Sequence, residues 1–231
     1  MSAPKGIRLH RDERREQLVA LGLELLGSSP HGQVSIGEIA RRAGISKGLL
    51  YHYFPTKSDF VVAVLRRSMD ELDRRMRPAD LGGGPVAILD QSLDGFLGYA
   101  HEHAQGFLAV VRARGGADAA IRAVLLEGRR RRVATMVDFA AALAGRPREQ
   151  LASPGLDLAI EGWLSFCEGV AARWLAEGGA DREAVARLLR DVLLAAYASV
   201  GVADGREAFA ALAEAARSAA GGVSGPALTN T

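Results

Sequence analysis

Apolar residues recur along this chain at intervals of three and four, the period of helices buried on one face, and no stretch alternates convincingly as a half-buried strand would. Leu18, Leu21 and Leu25 make such a stripe over 11–26, with charges opposite, and the segment from Gly27 to Gly32 ends it. Ser35 then caps a short helix, and Glu38, three residues on, predicts a reciprocal capping box. Ile36, Ile39, Ala40 and Ala43 form its inner face, and Gly44 stops it. Ser46 caps a second short helix with Leu50 and Phe54 on one side, closed by Pro55. Thr56 and Asp59 predict another box, opening a long helix that turns Phe60, Val64, Met69, Leu72 and Met76 inward and ends near Pro78. Further helices are predicted over roughly 86–103, 105–114, 117–144, 154–178, 182–200 and 205–220, punctuated by Gly115-Gly116, Arg146-Pro147, Gly178-Gly179 and the segment 201–205. Ser153 before Pro154 pairs a capping residue with a first-turn proline. The small, polar tail 221–231 is predicted to be disordered.

The pattern describes an all-α chain with a three-helix head over 8–58, containing a helix-turn-helix, and a helical body over 59–220, the long helix being shared between them. The length of 231 residues fits one small and one medium domain, and 48% hydrophobic with 24% charged residues is the balance of a globular protein. Cys167 is the single cysteine, which excludes an internal disulfide or a cysteine-cluster zinc site, so no metal and no cofactor are expected. The first residues lack an apolar signal core, and the most apolar run, Leu156 to Leu175, is broken by Asp157, Glu161, Glu168 and Arg173. A soluble, cytoplasmic protein without a membrane partner is the expectation. Net charge is only +2, but residues 1–67 carry eleven basic and six acidic side chains, leaving that part at +5 and the rest at −3. A basic end on a mildly acidic body suits contact with a polyanion.

Two short helices around a glycine turn make a helix-turn-helix pattern. Ala40 and Ala43 allow close packing, Gly44 tolerates positive φ, Ile45 anchors the turn, and the second helix hides Leu50 and Phe54 while its other side is polar. The residues Ser35-Ile36, Ile39-Ala40, Ala43-Gly44-Ile45-Ser46-Lys47-Gly48, Leu50-Tyr51-His52-Tyr53-Phe54 and Pro55-Thr56-Lys57 resemble the head of TetR-type repressors over about residues 11–60. The resemblance implies a homodimer that binds a palindromic double-stranded DNA operator through this head and a small-molecule effector through its helical body. It implies that Lys47, Gly48 and His52 lie in or near the major groove and that Tyr51, Tyr53 and Lys57 meet phosphates. The amide ends at Ser35 and Thr56, with the cap Ser46 alongside, complete that surface. Lys47 would read guanine acceptors, and Gly48 would let the backbone approach. Leu49 departs from the family's small or polar habit; it either touches a thymine methyl or adds packing.

In the body, the helices 154–178 and 182–200 are apolar on two sides, which calls for two packing partners. A dimeric four-helix interface through Leu164, Leu175, Leu189, Val192 and Ala196 is one reading; a deeply buried monomer core is the other. Polar groups on apolar stripes outline a candidate effector pocket of His103, Arg132, Met136, Trp163, Cys167 and Glu168. Arg129 to Arg132 are four consecutive arginines and cannot share one solvated side of a helix. Arg132 with Glu168 is a candidate pair, either facing a ligand or forming an ordinary internal ion pair. Trp163, Cys167 and His103 read equally as structural residues.

The leading function is therefore a transcriptional regulator, a repressor released by an effector. An activator, a regulator without a ligand, and a helical interaction protein that binds no DNA are the alternatives. An enzyme is not expected, since the chain lacks GxSxG, HExxH, P-loop and dinucleotide fingerprints. Of the five histidines, only His101 and His103 are close in sequence, and they fall on different helix faces.

Overall fold

The computed structural model describes residues 11–28, 35–113, 119–151 and 153–202. The expected helix 205–220, the tail 221–231 and the first residues of the expected head lie outside them. Among the described residues there is no strand, and the nine α-helices are α1 (Arg11–Ser28), α2 (Ile36–Arg42), α3 (Lys47–Tyr53), α4 (Lys57–Arg75), α5 (Gly84–Glu102), α6 (Ala104–Ala113), α7 (Ala119–Ala144), α8 (Pro154–Glu177) and α9 (Arg182–Ser199). A short 3-10 turn, Arg148–Gln150, follows α7.

Local chemistry sets the helix ends. Thr56 and Asp59 form the full reciprocal box: Asp59 N–H donates to Thr56 Oγ1 at 3.0 Å, and Thr56 N–H donates to Asp59 Oδ2 at 3.0 Å. Ser35 gives only half of its expected box. Its hydroxyl accepts from Glu38 N–H at 3.4 Å, but the Glu38 carboxylate turns forward to Arg41 and Arg42. Those hydrogen bonds, Arg41 first, hold the Glu38 carboxyl down to about 2.

Burial sorts the helices into two apolar clusters. The first joins Leu18 of α1, Ile39 of α2, Leu50 of α3 and Phe60 and Val64 of α4, and it recruits Val124 and Leu125 from α7. The second is built from α5, α7, α8 and α9 around Leu97, Ile160, Leu193 and Tyr197, with Leu72 and Met76 of α4 packed against it. The first helix of the body thus serves both clusters, and the expected boundary at 58/59 falls inside α4. α5 crosses α4 so closely at Gly95 that a Cβ there would collide with the Arg75 carbonyl oxygen. Polar ties fix the body: Tyr197 Oη donates to the Met136 carbonyl at 2.8 Å, and Trp163 Nε1 donates to the Leu189 carbonyl at 2.8 Å. Arg190, buried between α5 and α9, is held by Asp90 at 3.2 Å and Asp191 at 3.0 Å. No described helix is long and apolar enough to cross a membrane.

Candidate nucleic-acid interface

The turn between α2 and α3 is built as its sequence requires. Gly44 has φ of 65°, a left-handed conformation that a side chain would strain. Gly44 N–H donates to the Arg41 carbonyl at 3.2 Å and Ile45 N–H to the Ala40 carbonyl at 3.0 Å, the paired bonds of a Schellman motif that satisfy the last carbonyls of α2. Ser46 then caps α3, its hydroxyl accepting from Leu49 N–H at 3.1 Å. Leu50 and Phe54 plug the head core, where the Phe54 ring meets Phe60 edge-on at 4.9 Å and Arg15 lies over it at 5.0 Å.

With Leu50 and Phe54 turned in, the other side of α3 is presented outward. Ser46, Lys47, Gly48, Leu49, Tyr51 and His52 are exposed, as are Ser35, Thr56 and Lys57 at neighbouring helix starts. Leu49 is 41% exposed, so it contributes no core packing to the described chain. Tyr53 is half-buried against the head core, its ring 5.7 Å from that of His52. The Lys47 stem crosses α2: a Cβ at Gly37 would lie 3.1 Å from Lys47 Cε. Among the described residues a Cβ at Gly48 would meet only Ser46 Oγ at 3.8 Å, so nothing described in the head requires glycine there.

The body contains two adjoining chambers. His103, Arg132, Trp163, Cys167 and Glu168 all border an inner one, whose empty space, open solvent included, is about 990 Å³. Met136 borders an outer one, counted the same way at about 1030 Å³, which shares Met76, Arg132, Trp163 and Leu164 with the first. The four arginines divide as helix geometry demands: the side chains of Arg129 and Arg132 are only 11% and 14% exposed, while Arg130 and Arg131 face outward. Glu168 is bridged by Arg129 at 3.2 Å, a partner the sequence reading missed, and Arg132 lies 3.6 Å from Asp73 of α4. Arg129 also reaches Glu161 Oε2 at 2.6 Å and Ser165 Oγ at 2.7 Å, clamping α7 to α8. Two more lining groups were missed, Ser68 and Tyr99, whose hydroxyls lie 2.6 Å apart. Ser68 was detectable, since it interrupts the apolar stripe of α4 between Leu65 and Leu72. Burial pushes both the Tyr99 hydroxyl and the Cys167 thiol above their usual ranges, which leaves Cys167 without thiolate character.

Two residues of the expected dimer face need correction. Leu164 and Leu189 are buried inside the single chain, Leu189 completely, because both apolar stripes of α8 and the main stripe of α9 turn to the chain's own core. Leu175, Val192 and Ala196 are half-buried. What α8 and α9 leave outward is a different sector: Leu158, 74% exposed, with Gly162, Ser165 and Gly169 on α8, and Leu188 with Ala195 on α9. Among the described residues, nothing beyond the adjoining backbone of α8 comes within 4 Å of a Cβ placed at Gly162 or Gly169.

Comparison with known proteins assigns this arrangement. Residues 18–64 match the family model described as bacterial regulatory proteins, tetR family, and residues 85–196 match that of the tetracyclin repressor-like C-terminal domain. The HTH-type transcriptional activator FasR of Mycolicibacterium smegmatis is 41% identical over 75 residues, covering 32% of this chain and 34% of that protein. The HTH-type transcriptional regulator BetI of Ectopseudomonas mendocina is 37% identical over 86 residues, covering 36% of this chain and 43% of that one. The alignments thus span well under two thirds of these relatives' lengths. Over nearly the whole described fold, a tetR-family transcriptional regulator from Streptomyces coelicolor superposes with a TM-score of 0.71 at 28% identity, covering 87% of this chain and 90% of the other. With head and body each matching a model of the same family, the chain belongs to the TetR family of bacterial transcriptional regulators.

Proposed function

We propose that this protein is a homodimeric repressor that binds a palindromic operator through α3 and leaves it when a small molecule occupies the body cavity. The observation that carries the reading is the outward side of α3. A capped helix, held at a fixed angle by a Schellman turn, offers Lys47, Gly48, Leu49, Tyr51 and His52 outward, with no described element over them. That is the presentation a recognition helix needs to enter a major groove. Gly48 and His52 face base edges, and Leu49 meets a thymine methyl. Lys47, with its stem across α2, reaches a phosphate or a guanine from the α2–α3 crossing. Tyr51, Tyr53 and Lys57 contact phosphates, joined by the helix starts at Ser35, Ser46 and Thr56.

Two heads are needed to read two half-sites. The outward sector of α8 and α9 around Leu158, Gly162, Gly169 and Leu188 suits a second copy, since its small residues let helices approach closely and its leucines gain burial. An effector acts only through unequal affinity for the operator-bound and released states. The inner chamber is lined by Leu23 of α1 in the head, by Leu65 of α4, the helix that serves both clusters, and by Phe96 and Trp163 of the body, so its contents touch both parts.

Selection of duplexes from a random library tests this reading. A palindromic site should be enriched, and binding should be lost in a Lys47→Ala/Tyr53→Ala variant that still folds. Absence of any enriched duplex at low salt, with a folded dimer in hand, would contradict it. The relative FasR is named an activator, so a reporter carrying the selected site decides the sign of regulation.

A further inference from the structure

Building on the proposed effector site, we infer that its ligand is an amphipathic anion, with an unbranched apolar tail in the inner chamber and an acidic head group held by arginines at the partition and in the outer chamber. The two chambers differ in chemistry. The inner one is the narrower, none of its lining residues is exposed, and most of them are apolar, among them Leu72, Leu93, Phe96, Phe107 and Val110. A slender hydrocarbon chain fits such a slot and gains from leaving water. The outer chamber is edged by Arg77, Arg131 and Arg132 against a single acid, Asp73. Arg132 also borders the inner chamber and stands in the partition with Met76, Trp163 and Leu164.

Charge pairing selects the sign of the head group. Asp73 is already bridged by Arg131 at 3.4 Å and lies 3.6 Å from Arg132. Glu168, the acid of the inner chamber, is bridged by Arg129 at 3.2 Å. A cationic ligand would have to displace an arginine to reach either acid. Among the described residues Arg77 enters no ion pair, and it lies at the exposed edge of the outer chamber. An arriving carboxylate or phosphate meets that guanidinium first and Arg132 at the partition next, while Arg131 is engaged by Asp70, Asp73 and Glu127. Tyr99 and Cys167, both shifted upward by burial, stay neutral on the inner wall, and its remaining titratable group is His103, its ring tilted against that of Tyr99 at 4.5 Å. It adds no negative charge. A neutral hydrophobe would fill the slot but would make no use of the three guanidinium groups around its mouth.

Three probes with one tail separate these cases on the full-length protein: decanoate, 1-decanol and decyltrimethylammonium, each below its micelle concentration, by calorimetric titration at low salt. Decanoate should bind about tenfold or more tighter than decanol. Its affinity should rise by about fourfold per methylene from hexanoate upward until the chamber is full. The preference over decanol should shrink in Arg77→Gln, an exposed change that leaves the fold alone, and vanish in Arg77→Gln/Arg132→Gln. Equal binding of decanol, or tighter binding of the cation, overturns the anionic head while leaving an effector cavity in place. If none of the three binds, the inference falls together with the cavity reading, and operator binding by α3, measured separately, stands untouched.

Discussion

Gly48 lies inside α3, where glycine weakens a helix, yet the described chain gives no steric or conformational reason for it. The space its missing Cβ leaves is on the exposed side that the account gives to DNA. Gly48→Ala should therefore raise the melting stability of the protein by about 0.5–1 kcal/mol and at the same time weaken operator binding. A gain or no change in affinity would remove the argument for close approach. Acid is a second probe. The Glu38 carboxyl is depressed to about 2 from a usual 4.5, so its contribution to folding is complete above 4.5 and fades as pH falls toward 2. A Glu38→Gln variant should lose that part of the acid dependence in a circular-dichroism titration. At this scale the sequence disclosed much of the α3 surface, because positions 50 and 54 fix which side is buried and the rest of the helix must then be outside. It did not disclose that Arg129 holds Glu168, since two inward arginines three residues apart offer equal claims until α8 is docked.

Between elements, the closest approach is α4 against α5. Gly95→Ala pushes a methyl into the Arg75 carbonyl, a backbone atom that cannot rotate aside, so the variant should lose about 1–3 kcal/mol in denaturant unfolding. Thr56→Ala removes one arm of the α4 box and should cost about 1 kcal/mol by the same measurement. The two boxes show how far a cap motif can be read. Asp59 is short and the residues one turn on are Val62 and Ala63, so its carboxylate returns to Thr56 N–H. Glu38 is longer and faces Arg41 and Arg42 one turn on, and charge outbids the amide. Among the described residues helix positions were legible, since glycine and proline punctuate them. Helix rotation was not legible in α8, where apolar residues around most of the circumference leave no polar face to mark the outside. That is why Leu164 was read as interfacial and is buried within the chain.

For the whole molecule, the proposed function joins a head that would read half a site, a body that would pair two heads, and a cavity bordered by both. The pairing surface is open to a direct test. Leu158 is largely exposed and supports no core, so Leu158→Glu should leave the chain folded and convert a dimer to monomers in sedimentation velocity. A dimer that survives the charge locates the interface elsewhere. Such a monomer should also lose most of its operator affinity, because each half-site then binds alone. The all-helical architecture and the presence of a head were readable from period and motif, whereas the outward sector of α8 and α9 needed the packed structure.

The most direct measurement is a hydroxyl-radical footprint on the selected operator. Two α3 helices entering successive major grooves should protect two symmetric half-sites with centres one helical turn apart, about 34 Å, or a whole number of turns. The protection should fade in Lys47→Ala/Tyr53→Ala. A single asymmetric patch, or protection unchanged by those substitutions, would contradict a two-fold regulator reading DNA through α3.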